Sequence, residues 1–176
     1  MPTEAFWAGR FAALNDVVFE EDEDRFYCYD PSDGAWKVAT DEHIRARLAD
    51  DLLAAAKDPT LMEISYHGKD AAVPAWQRLM HGQVSRIATN LFRSHGRLSS
   101  IVSLLKGNVG RRNVFKTGTG IIHLKNGMID LREEKLVLRP FSPSYFSRNP
   151  LPLAYQPRAR CPVFKEELLG AALEDD

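Results

Sequence analysis

The stretch Gly110-Arg111-Arg112-Asn113-Val114-Phe115-Lys116-Thr117 comes nearest to a recognisable chemical motif. It almost fits GxxxxGK[ST], the loop whose backbone amides wrap a nucleotide phosphate. The residue before the lysine is the misfit. Phosphate wrapping needs close backbone approach there, and Phe115 brings a bulky ring. The approach, Lys106-Gly107-Asn108-Val109, is not an apolar strand either. A basic linker, turned by Thr117-Gly118-Thr119-Gly120, is the better reading. Its cations Arg111, Arg112 and Lys116 could neutralise nucleic-acid phosphates. Arg93, Arg97, Arg158 and Arg160 are the second group of candidates.

Other chemistry finds less support. His43, His67, His81, His95 and His123 show no ligand spacing, and Cys28 and Cys161 form no CxxC, so neither a metal nor a cofactor is expected. Ser99-Ser100 lacks the context of a nucleophile elbow. The pairs Asp50-Asp51 and Glu133-Glu134 are sequence neighbours, which share no helix face and point apart on a strand. Neither makes the paired carboxylates of a nuclease or polymerase, and no enzyme activity is expected of this chain. Tyr27, Tyr29 and Trp36 could stack on bases. Such a trio more commonly holds a hairpin to its core.

The net charge of −1 conceals an asymmetry. Residues 1–60 are rich in acids, including the run Glu20 to Asp24, which reads as a solvated loop. From Glu63 to Lys165 the bases exceed the acids by about a dozen. That is enough for a nucleic-acid footprint if the bases share a face. Alternatively, the two halves attract each other or a neighbouring subunit. Hydrophobic content of 44% and charged content of 27% suit a folded domain. No apolar run approaches the ~18 residues of a membrane span. No secretion signal is visible, and the two distant cysteines fit a reducing cytoplasm.

The elements that must position these groups follow from periodicity. Thr3 to Leu14 reads as a helix with Phe6, Trp7, Phe11 and Leu14 on one face. A hairpin follows over Arg25–Val38, turned by Asp-Pro and Asp-Gly. Thr40 caps a helix to about Lys57 that buries Ile44, Leu48, Leu52 and Leu53. Thr60 to Pro74 is poorly periodic and reads as a loop with room for one short helix. Pro74 to His95 reads as a helix stopped by His95-Gly96, and Leu98 to Lys106 as another, with Ile101, Leu104 and Leu105 inward and Gly107 as its stop. Ile121 to Leu138 reads as short strands around an Asn126-Gly127 turn. His123 alternates with apolar neighbours there and reads as a surface or hydrogen-bonded residue. Asp130 is expected to fix that turn by accepting backbone hydrogen bonds. A proline-marked arm follows, expected to lie extended on anchors Phe141, Tyr145, Phe146, Leu151, Leu153 and Tyr155. The fold class is α+β: a predominantly helical single domain, 1–176, whose two β-hairpins form a small antiparallel sheet. Its parts are an N-terminal helix and acidic loop over 1–24, hairpin and helices over 25–120, the second hairpin and arm over 121–165, and a linking end over 166–176.

One stretch also resembles a known family. Asn126-Gly127-Met128-Ile129-Asp130-Leu131, then Arg139-Pro140, Ser142-Pro143, Tyr145-Phe146, Pro152-Leu153, Ala154-Tyr155 and Cys161-Pro162 ahead of Phe164 are similar to the helicase-associated domain of viral, phage and plasmid primase-helicases. The match runs in order over about forty residues, and its arm ends Tyr155-Gln156-Pro157-Arg158-Ala159-Arg160-Cys161-Pro162-Val163-Phe164. Upstream the likeness is looser. The resemblance implies a non-catalytic replication module with DNA, single-stranded or forked, as partner. It also implies a superfamily 3 helicase domain in cis, which would carry the ATPase, and a possible homo-oligomer. Asn126, Gly127, Asp130, Leu131, Cys161 and Pro162 would then be structural motif residues. The alternative is an oligomerisation collar or protein-interaction domain that binds no nucleic acid. Whether the chain is a fragment or a short gene stays open.

Overall fold

The structure, a computed structural model, describes residues 3–57, 93–116 and 120–159. The chain is α+β; the described residues form three helices and two small sheets. Helix α1 spans Glu4–Leu14 and begins where Thr3 Oγ1 accepts the Phe6 amide hydrogen at 3.3 Å. Strands β1 (Val17–Glu20), β2 (Arg25–Asp30) and β3 (Ala35–Ala39) follow as an antiparallel meander. Helix α2 covers Asp41–Lys57, with Thr40 Oγ1 accepting from the His43 amide at 3.1 Å. Helix α3 covers His95–Val109 and runs directly into β4, Gly110–Arg111, which pairs parallel to β1. The four-stranded sheet therefore has the order β3-β2-β1-β4.

A second sheet holds β5 (Ile121–Leu124), β6 (Gly127–Asp130) and β7 (Leu138–Arg139). The two expected hairpins thus sit in separate sheets rather than in one. Strand β1 went unread in the sequence, and Glu20 is its buried last residue; only Glu21 to Asp24 form an exposed turn.

Alternation along β1 and β2 sends side chains to two covered faces. Val17, Phe19, Phe26 and Ala39 meet Phe6, Trp7, Phe11, Ile44, Leu48, Leu52, Leu98, Ile101, Val102 and Leu105 of the helices. Val18, Tyr27 and Trp36 meet Val114, Phe115 and Phe146 on the other side. Three positions depart from the expected helix stripes; Leu53 is only half-buried, with Ala55 in the core instead. Leu14 is 58% exposed and Leu104 44% exposed. Each lies three residues past a buried position, about 60° off its line on a helix, while Ala8 and Val102 take the inward places. His95 and Gly96 open α3 instead of closing its predecessor, and Gly107 lies within it. The helix expected over Pro74–His95 and the loop before it otherwise fall outside the described residues.

The arm from Pro140 onward joins the two sheets. The Trp36 amide donates to Ser147 O at 2.8 Å on the β3 edge. The Leu151 amide donates to His123 O at 2.8 Å, and the Lys125 amide to Leu153 O at 2.8 Å, on the β5 edge. Leu151 and Leu153 therefore anchor through their backbones; their side chains stay exposed. Phe141 packs so closely on Gly34 (φ +72°) that a Cβ there would lie 2.4 Å from its ring.

Candidate nucleic-acid interface

The basic stretch Gly110–Lys116 is not a free linker. Gly110 and Arg111 are strand residues, and Val114–Lys116 form a short 3-10 turn. Between them Asn113 takes the left-handed conformation at φ 56°. This turns two successive amides toward the buried carboxylate of Glu20. The amides of Asn113 and Val114 donate to it at 2.8 Å each. Successive amides around an αL residue make an anion-binding concavity. Here the anion is a side chain of the same chain, placed where a phosphate loop would hold its ligand.

Around this support lies a row of aromatic and cationic groups. The Arg111 guanidinium sits 5.8 Å from the Phe146 ring centroid. Phe146 stacks on Trp36, at 5.4 Å and 16° between planes, and meets Phe115 edge-on at 6.3 Å. Phe115 lies under Arg148, whose guanidinium is 4.4 Å from the ring centroid. Lys116 is exposed on the turn that carries Phe115. Phe146 itself is left-handed at φ 46°, an uncommon conformation for a bulky residue, held by its amide donating to Pro143 O at 3.2 Å. It lines two clefts. One, of about 410 Å³, is also bordered by Trp36, Asn108, Arg111 and Ser144. The other, of about 350 Å³, is bordered by Phe115, His123, Arg148 and Asn149.

Arg148 donates to Glu23 Oε1 and Oε2 at 2.8 and 3.0 Å and to the Tyr27 hydroxyl at 2.8 Å. The Tyr27 hydroxyl in turn donates to Glu23. That hydroxyl, and then Arg148, hold the Glu23 carboxyl below the usual range. Burial pushes the Tyr27 phenol up, with the Glu23 bond adding to it. Tyr27 and Trp36 thus hold the hairpin to its core rather than presenting free faces.

The candidate cations separate into groups. Arg111, which borders a Phe146 cleft, and Lys116, which follows Phe115 in the chain, are exposed and make no ion pair among the described residues. Arg112 donates to Glu21 at 2.7 Å, and that bond raises its affinity for its proton. Arg93 precedes α3 and Arg97 lies in its first turn, about 20 Å from β4 along the helix. Arg97 is paired with Glu4 at 2.6 Å. Arg158 is exposed near the end of the arm, and Arg160, Cys161 and Pro162 fall outside the described residues.

Around Asn126 the geometry differs from the expected turn in two ways. The corner residues are Lys125 and Asn126, because Leu124 pairs with Gly127. Gly127 opens β6 at φ 150°, and a Cβ there would meet Arg139 O at 2.4 Å, so only glycine admits β7 so close. Asn126 instead clasps the arm: its amide donates to Tyr155 O at 3.0 Å and its carbonyl accepts from the Tyr155 amide at 2.8 Å. Asp130 fixes the following turn, not this one, accepting from the Arg132 amide at 3.0 Å and from its guanidinium at 2.8 and 2.6 Å. Leu131 is exposed. His123 is buried, with ring nitrogens 2.8 Å from Ser147 Oγ and 2.7 Å from Asp33 O. Since a carbonyl only accepts, Nε2 carries a hydrogen.

Sequence reasoning overlooked Phe115, Phe146 and Arg148 as site residues. The signal available was the interleaving of aromatic and basic residues in Phe115-Lys116 and Tyr145-Phe146-Ser147-Arg148. Among the described residues no group of His, Cys, Asp or Glu side chains is arranged to hold a metal ion, and no helix is long and apolar enough to cross a membrane. Comparison with models of known protein families finds none that matches this chain, and comparison with curated proteins finds no match either.

Proposed function

We propose that this chain is a non-catalytic module of a primase-helicase-type replication protein, working in the cytoplasm, and that its arm-backed face binds single-stranded DNA. The observation that carries this reading is the row Arg111–Phe146–Phe115–Arg148 with Lys116 beside it. Cations for the backbone and aromatic rings for bases are the ingredients of sequence-tolerant single-strand binding. The clefts on either side of Phe146 offer room for an unstacked base. Its left-handed backbone, a costly conformation that tends to gather at binding sites, supports the same reading. The resemblance of residues 126–164 to helicase-associated domains supports the parent protein.

A collar built from acid–base contacts between subunits has less support. Glu4–Arg97, Glu21–Arg112, Glu23–Arg148 and Asp41–Lys106 already join the two halves within one chain.

The test is a low-salt anisotropy titration of a labelled single-stranded oligonucleotide. Replacing Arg111 and Lys116 together with alanine should weaken binding about tenfold. It should also flatten the slope of log K against log salt by roughly 0.7 per lost phosphate contact. Unchanged affinity and slope would remove this face from consideration.

A further inference from the structure

The turn Glu21–Asp24 lies over the same face and has no role in the reading above. Glu21 Oε2 accepts from Arg112 at 2.7 Å, and both Glu23 oxygens accept from Arg148. One strand residue earlier, Glu20 fills the amide concavity at Asn113 and Val114. Three carboxylates from one short stretch thus occupy three anion positions on partners 91 to 125 residues away.

We propose that this turn is an internal phosphate mimic: Glu21 and Glu23 cover Arg112 and Arg148, and a phosphodiester chain binds by displacing them. The inference rests on the reading of the arm-backed face as a DNA interface; it adds Arg112 to that interface and makes the charge of Arg148 available only once Glu23 is displaced.

The chemistry of the contacts favours exchange. The Arg112 side chain is 74% exposed, and that of Glu21 41%. That pair is weak and screened by salt; the Arg148 and Glu23 side chains, 34% and 38% exposed, make the firmer pair, and a polyanion that offers several phosphates at once competes with both. Glu20 differs. It is 2% exposed, and its bonds are to backbone, so it stays as the fixed support while the turn above it yields. The Glu21 amide donates to Arg111 O at 2.9 Å, which ties the start of the turn to the binding strand itself. Competition by the turn lowers affinity at every sequence equally, because phosphate contacts carry no base information.

Two double variants of equal charge separate masking from general electrostatics. Glu21→Gln with Glu23→Gln removes the mimic and keeps the hydrogen-bonding shape. Asp50→Asn with Glu134→Gln removes two exposed acids elsewhere. Binding to labelled oligo-dT is followed over a salt series, with melting curves confirming the fold. The first variant should bind about tenfold tighter with a salt slope steeper by roughly 1.4, two more phosphate contacts; the second should change affinity less than about twofold. Adding Arg148→Ala to the first variant should cancel part of the gain. Equal behaviour of the two variants, with wild-type protein binding, would overturn the mimic and leave the DNA reading standing. No binding by wild type or by either variant would overturn both. A check without substitution is DNA titrated into 13C-labelled wild type. The Glu21 and Glu23 carboxyl resonances should move, and unmoved ones on a bound protein would overturn the proposal.

Discussion

On its helix-backed face the four-stranded sheet buries Val17, Phe19, Phe26 and Ala39 against stripes from three helices, an almost wholly apolar contact. On its arm-backed face the same strands meet a mixed layer. Tyr27, Trp36, Phe115 and Phe146 share it with the carboxylates of Glu20 and Glu23, the Arg148 guanidinium and the buried imidazole of His123. The first face gains from area removed from water and is indifferent to direction. The second is fixed by directed bonds, each of modest net value but costly to leave unmade when buried. Stability should therefore be concentrated on one side, and adaptable recognition on the other.

Three outcomes would break or sharpen that contrast. The largest effect is expected from Phe26→Ala, which empties a fully buried site between sheet and helices. It should cost about 3–5 kcal/mol in denaturant unfolding, and all probes should shift together. A loss confined to one region would show that the helix-backed face is not the cooperative core. Asn126→Ala should do much less, about 1 kcal/mol for two bonds to the Tyr155 backbone. Its signature should be local: faster hydrogen exchange at the amides of Leu151 and Lys125, with exchange in α1 and α3 unchanged. Uniformly faster exchange would mean that the arm is part of the core and not a clasp on it.

The smallest effect lies in the Asp130–Arg132 pair at the rim of the second sheet. Hydrogen bonds from the Arg132 guanidinium, and then from its amide, hold the Asp130 carboxyl at about 2 rather than its usual 3.8. A depressed carboxyl stabilises the fold above its unfolded value and loses that contribution as pH falls through the folded one. The window is thus from about 4 down to about 2. Arg132→Ala should return the titration of Asp130 to the ordinary carboxylate range, read by 13C NMR. A midpoint that stays near 2 would mean that the turn backbone, not the guanidinium, holds it.

The sequence by itself determined the parts whose cause is local. Thr3 and Thr40 cap helices because their hydroxyls reach amides three residues on. The Arg25–Val38 hairpin was readable because Asp30, Asp33 and Gly34 carry their own turn geometry. The α+β class and most of the inward helix residues follow from a 3.6-residue period. Strand β1 was hidden because four residues buried on both faces show no period, and an acid at their end looked like solvent-facing charge. The cations of Arg111, Arg112 and Lys116 were visible as candidates, but not which of them stay unpaired. Only the tertiary structure decided that, because Glu20, Glu21 and Glu23 reach their partners across 91 to 125 residues of chain. An ion pair or a buried carboxylate depends on which surfaces the folded backbone brings together, and no local pattern of residues encodes that distance.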